Sequence, residues 1–177
     1  MLQVTIGFST LLFSLGLDQA YVREFHEVND KPSLLKRALL PGLILLATTL
    51  LTLLMFGSTL ASWLFEIPEW HLSLLASTAL LAAFISRFLS LVLRMNEQGL
   101  AYSMSQLLPK LLLLAVIGTY VVVGAEKSLT NLVIANTSAL VFVCIVFAYN
   151  TRREWLTSVT ASPVSYTHLT LPTKRIV

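Results

Sequence analysis

The chain has 177 residues, of which 56% are apolar and only 12% are charged, with a formal net charge of +3. The charged share is about half that of an ordinary soluble domain, which argues against a water-soluble fold. The cations are scattered among short loops and form no single basic face, which argues against a nucleic-acid-binding protein. An integral membrane protein is therefore expected.

Five long apolar runs follow one another along the chain, most of them near the ~20 residues that a helix needs to cross the hydrocarbon core. They predict helices at about residues 1–20, 36–65, 71–94, 99–125 and 128–150. The predicted fold is all-α, a polytopic membrane bundle of about five transmembrane helices over residues 1–155. Residues 156–177 are predicted to form a tail outside the membrane.

Both ends of the chain have unusual sequences. The first run begins at Met1 with neither a basic segment nor a small-residue cleavage site, so it does not resemble a signal peptide, and a helix upstream of it is expected. The segment PVSYTHLTLPTKRIV, which starts at Pro163, lacks the Leu and Ala richness of the preceding chain. It resembles the non-native tail that arises when sequencing adapter is translated, so residues 164–177 are expected to be non-native.

The basic residues predict the orientation of the helices, because short cytoplasmic loops carry an excess of Lys and Arg. They fall between the first and second runs, around the junction of the third and fourth, and after the fifth. These residues are Arg23, Lys31, Lys36, Arg37, Arg87, Arg94, Arg152 and Arg153. The opposite loops hold Glu66 with Glu69, and Glu126 with Lys127. The first group is therefore predicted to be cytoplasmic, which places Met1 on the outer side.

Three stretches of sequence carry a resemblance to a known family. They are GLDQAYVREFHE (16–27), LLKRALLPGLILL (34–46) and RMNEQGLAYSMSQLLPKLLLL (94–114). With them, residues 1–155 resemble the O-antigen type of polysaccharide flippase, in the multidrug/oligosaccharidyl-lipid/polysaccharide exporter superfamily. The resemblance implies a bacterial inner-membrane transporter of two pseudo-symmetric lobes, which moves lipid-diphosphate-linked oligosaccharides by alternating access for surface polysaccharide biosynthesis. The five helices would be the second to sixth of the N-terminal lobe, and the remaining lobe and the membrane lipids would be its partners.

Two charged residues near the end of the first predicted helix are candidates for function. Arg23 lies on a polar stripe with Gln19 and offers a planar fork of donors that suits phosphate, so it is a candidate substrate-binding residue. It could instead anchor the helix by reaching to headgroups. Asp18 is an acid within a membrane run, and could carry a coupling proton or cation or pair with an arginine. Because Arg23 is roughly 140° from Asp18 around a helix, that partner should come from another helix.

Two cations lie deeper in the predicted helices and are further candidates for substrate binding. Arg87 lies six residues before the end of its helix, and should meet an acid or a water-filled cavity because a charge there costs at least ~2.5 kcal/mol. Lys110 follows Pro109 and aligns with Tyr102 and Gln106 at intervals of four residues, where the proline favours a bend beside a cavity. Reaching to the headgroups is the alternative for both cations.

Other motifs point away from catalysis. The sequence has no GxGxxG, P-loop, HExxH or CxxC pattern, and Cys144 is its single cysteine, so neither an enzyme, a metal site nor a cofactor is predicted. Asn136 matches a glycosylation motif inside a membrane run and is expected to hydrogen-bond a neighbouring helix instead. Two other classes stay open: a drug or cation antiporter of the same superfamily, whose cavity should carry acids, and a non-transporting membrane scaffold.

Overall fold

The computed structural model describes residues 1–28, 30–124, 128–152 and 155. In this part of the chain the secondary structure is entirely helical, and the predicted tail at 156–177 lies outside the described residues. The helices are α1 (Leu2–Ser14), α2 (Leu17–Glu24), α3 (Lys31–Met55), α4 (Thr59–Phe65), α5 (Trp70–Met95), α6 (Gly99–Val123) and α7 (Leu129–Asn150).

Four of these helices, α3, α5, α6 and α7, are long and apolar enough to cross a membrane. The shortest of them, α7, has 22 residues and is therefore ~33 Å long, which exceeds the ~30 Å of a typical hydrocarbon core. Helix α1 is apolar but has 13 residues, or ~20 Å, which is too short to span the core alone. The chain is a helical membrane bundle, with four long helices in place of the predicted five.

The first predicted helix, at 1–20, is divided in the structure. Leu15 and Gly16 adopt left-handed φ angles of 51° and 73°, which end α1 and start α2 on a new axis. Glycine takes this conformation at little cost, whereas leucine does so rarely. The prediction of one continuous helix is wrong here because the apolar run does not reveal this backbone change. The break places Asp18 in the first turn of α2.

The second predicted helix, at 36–65, is also divided. It begins earlier, at Lys31, because the Asp30 carboxylate caps it by accepting a 3.2 Å hydrogen bond from the Ser33 backbone N–H. It ends at Met55, and Gly57, with a φ of 79°, turns the chain into the short helix α4. The other three predicted helices agree with α5, α6 and α7 within one or two residues.

Helix α5 is the centre of the bundle and packs against every other helix. Its Phe84 and Phe88 are fully buried, together with Leu46 of α3 and Tyr21 of α2. Helix α6 lies at the edge of the bundle against α5 and α7, and Ser105 is its one buried residue. Large apolar side chains on α1, α3 and α6 face outward, as expected for surfaces that contact lipid.

Apart from Lys110, which lies near the middle of α6, the described charges lie toward the two ends of the bundle. Helix α2, the α5–α6 turn and the end of α7 lie at one end, here called the basic end. Its cations are Arg23, Lys31, Lys36, Arg37, Arg87, Arg94 and Arg152. The start of α1, α4 and the start of α7 meet at the other end, where Met1, Glu66 and Leu129 line one pocket. The basic residues that the sequence predicts to be cytoplasmic, so far as they are described, therefore lie at the same end of the bundle.

Candidate functional site

An ion pair joins α2 to α5 near the basic end. The Arg87 Nη2 donates to the Asp18 Oδ2 at 2.8 Å, across 69 residues of sequence. Asp18 is 5% exposed, and its second oxygen accepts a 3.0 Å hydrogen bond from the Gln19 backbone N–H. The predictions that Arg87 meets an acid and that the partner of Asp18 comes from another helix are both confirmed.

A cleft of about 340 Å³ opens beside this ion pair. Residues of three helices line it: Asp18, Gln19 and Val22 of α2, Arg87, Ser90, Leu91 and Arg94 of α5, and Tyr102 and Gln106 of α6. Two arginines and one aspartate leave this lining, here called the basic cleft, with one formal positive charge. Polar side chains from three helices therefore converge where apolar ones would be the default in a membrane.

Arg87 has donor capacity that the ion pair does not use. Its Nε is buried without a hydrogen-bond partner, while its side chain is 36% exposed toward the cleft. An arginine has five N–H donors in a fixed fork, and the bond to Asp18 uses one of them. The exposed part of the guanidinium can therefore donate to an acceptor in the cleft.

The structure brings together four of the six side chains that the sequence singles out. Asp18, Arg87, Tyr102 and Gln106 all line the basic cleft. Arg23 and Lys110 do not, and both are exposed. Lys110 lies on α6 one turn beyond Gln106, on the side of that helix that the described residues leave uncovered.

Five lining residues were not among the predicted site residues: the polar Gln19, Ser90 and Arg94 and the apolar Val22 and Leu91. Arg94 had a visible signal, because it follows Arg87 by seven residues and so lies on the same face of the helix two turns later. Because Arg94 lies near the end of its helix, the sequence favours a role in anchoring the helix at the membrane surface over a role in binding. Ser90 lies on the same face of α5, and its hydroxyl donates a 2.7 Å hydrogen bond to the Arg87 backbone carbonyl.

The side chains that line the cleft are mainly hydrogen-bond donors, which is chemistry that suits an anion. Arginine forks match phosphate oxygens, and the Tyr102 hydroxyl and Gln106 amide add donors that can contact phosphate or sugar oxygens. Within the described ranges no group of three His, Cys, Asp or Glu side chains is placed to hold a metal ion. The arrangement is suited to binding an anionic headgroup between helices.

Comparisons with protein-family models, with curated proteins and with solved structures find no significant match to this chain. The class that the fold defines is a helical membrane bundle.

Proposed function

We propose that the chain is part of a flippase that moves lipid-diphosphate-linked oligosaccharides across the bacterial inner membrane for surface polysaccharide biosynthesis. In this proposal the basic cleft receives the diphosphate and the apolar helix faces contact the lipid tail. The observation that carries it is the convergence of Arg87, Arg94, Tyr102 and Gln106 on one cleft of a membrane bundle. The resemblance of residues 1–155 to O-antigen flippases supports the same conclusion.

The charge of the cleft favours an anionic ligand over a cationic one. Asp18 is the acid of the lining, and Arg87 already neutralises it. A drug or cation antiporter would need an acid that is available to its substrate, whereas the unpaired charge here is positive. A scaffold would require the ion pair for packing and would use Arg94, which is exposed and outside that pair, only as an anchor at the end of the helix.

Lys110 fits the proposal if further protein covers α6. It lies near the middle of a 25-residue apolar helix and is exposed, and an ammonium group facing lipid at that depth costs several kcal/mol. A second lobe packed against α6 would place Lys110 in a shared polar cavity with the basic cleft. The remaining lobe is therefore the partner that we propose.

The experiment is a complementation assay in a full-length transporter that carries these residues. Arg94→Ala should reduce surface polysaccharide at least tenfold, and Arg94→Lys should retain part of it, because the diphosphate needs positive charge at this point. Arg87→Ala and Lys110→Ala should abolish export. Protein abundance is measured by immunoblot.

The matched control for Arg94→Ala is Arg37→Ala, which removes an exposed arginine of the basic end outside the cleft. It should leave export near wild type, and Arg23→Ala should have a smaller effect than Arg94→Ala because screening weakens phosphate contacts near water. Wild-type polysaccharide from an Arg87→Ala, Arg94→Ala double variant at normal abundance would eliminate the proposed mechanism.

A further inference from the structure

We infer that the uncovered side of α6 is a docking surface for a transmembrane helix that this chain does not supply, and that the partner helix carries an Asp or Glu level with Lys110. The surface, here called the α6 face, consists of the exposed residues Leu107, Lys110, Leu114 and Gly118. They recur every three or four residues and therefore lie along one side of the helix. The inference rests on the proposed function only in placing further protein against α6, and it does not depend on what the basic cleft binds.

Lys110 lies too deep for its charge to reach water through the lipid. It is ~17 Å from the start and ~20 Å from the end of α6, whereas the hydrocarbon extends ~15 Å on each side of the bilayer centre. The four-carbon stem of lysine can carry the ammonium group about one helical turn along the helix. The ammonium group of an uncovered Lys110 would therefore remain in hydrocarbon, at a high cost in free energy.

The described part of the chain offers no acid to Lys110. The ion pair of this part joins Arg87 to Asp18, and the basic cleft, one turn away, has a formal positive charge that repels an ammonium group. Elsewhere the bundle pairs polar side chains between helices. The Gln3 Nε2 donates to the Asn136 Oδ1 at 2.7 Å, which confirms that Asn136 bonds to a neighbouring helix. A partner for Lys110 must therefore come from outside the described residues.

A helix with a carboxylate is the occupant that fits this position. Phospholipid acyl chains have no hydrogen-bond acceptor at this depth, and backbone that faces hydrocarbon must be helical to satisfy its own polar groups. A second copy of the chain does not fit, because α3, α5, α6 and α7 contain no Asp or Glu, and contact between two α6 faces would oppose one Lys110 to the other. Gly118 lies two turns beyond Lys110, and a Cβ there would meet nothing within 4 Å, so a partner backbone can approach closely.

The test measures the association of the purified 177-residue chain with designed transmembrane peptides in liposomes, by energy transfer from a donor-labelled chain to an acceptor-labelled peptide. The peptides are Leu-Ala helices that differ only at the central residue, which is Glu, Gln or Leu. A central residue is level with Lys110 in either orientation of the peptide. We expect the Glu peptide to associate at least about fivefold more tightly than the Leu peptide, the lower limit for a polar contact between membrane helices in peptide studies.

Four variants assign this preference to the α6 face. Lys110→Leu should bring the ratio of the two affinities close to one, and Lys110→Arg should retain most of it because the charge is kept. Arg37→Leu is the matched control, since it removes an exposed cation at the basic end, and it should keep the wild-type ratio. Arg94→Ala removes a cation that the proposed function requires but should also keep the ratio, so that this inference and the proposed function can fail separately.

Equal association of the Glu and Leu peptides with the wild-type chain would overturn the inference, as would a preference that Lys110→Leu leaves intact. Energy transfer between copies of the wild-type chain that Gly118→Trp abolishes would assign the α6 face to a second copy, and would also overturn it. All of these substitutions are at exposed positions, so each variant should fold.

Discussion

Replacement of Arg87 by alanine is expected to destabilise the bundle by about 3 kcal/mol, because it leaves the Asp18 carboxylate charged and unpaired in the interior. The reverse variant, Asp18→Ala, should cost less. The Arg87 side chain is 36% exposed, whereas the Asp18 side chain is only 7% exposed, so the stranded guanidinium can still reach the cleft. The measurement is the free energy of unfolding in a detergent titration of the purified chain.

A double-mutant cycle isolates the ion pair from the loss of packing. The Asp18→Ala, Arg87→Ala variant should be more stable than the sum of the single effects predicts, by at least about 1 kcal/mol, because neither charge is then left alone. Arg94→Ala is the control on the same helix and should change stability by no more than about 0.5 kcal/mol. Additive single effects would contradict the pairing seen between α2 and α5.

Replacement of Gly42 by alanine is expected to cost at least about 2 kcal/mol, because α1 and α3 approach too closely there for a side chain. A Cβ at Gly42 would collide with the Phe13 backbone carbonyl oxygen and would lie 2.8 Å from the Phe84 Cζ. The carbonyl belongs to the backbone near the end of α1, so it can move only if the helices separate. The same unfolding titration measures the loss.

The matched control for this substitution is Gly118→Ala on α6, where a Cβ would meet nothing within 4 Å. It should be neutral, or stabilising by up to about 1 kcal/mol, because alanine favours the helix over glycine. If Gly42→Ala were as stable as Gly118→Ala, the close contact of α1 with α3 would be refuted.

An apolar run in the sequence predicts where a membrane helix lies, but it does not predict where the backbone breaks. Length and composition were sufficient for α5, α6 and α7, whose ends agree with the predictions within one or two residues. They could not reveal the breaks at Leu15–Gly16 and at Gly57, because both lie inside or beside runs that stay apolar while only the backbone φ angles change. A glycine in such a run is compatible with a turn, with close packing as at Gly42, or with an ordinary helix as at Gly118.

The candidate site was partly predictable for a related reason. The cost of an isolated charge in a membrane required a partner for Arg87, and helical periodicity put Tyr102 and Gln106 on one face, so these residues could be named in advance. Which helices face each other depends on tertiary packing. The sequence therefore grouped Lys110 with the cleft, although it lies beyond the lining, and it missed Arg94, whose position near a helix end is typical of an anchor.

The most direct test of the proposed function is the binding of a polyprenyl diphosphate to the purified chain in nanodiscs, compared with the neutral polyprenol of the same length. We expect the diphosphate to bind at least about tenfold more tightly, since charge-assisted hydrogen bonds to arginine supply that difference. Arg94→Ala should remove most of this preference, and Arg37→Ala should not. Equal affinity for the two lipids, or a preference that Arg94→Ala leaves intact, would contradict the assignment of the basic cleft as a diphosphate site.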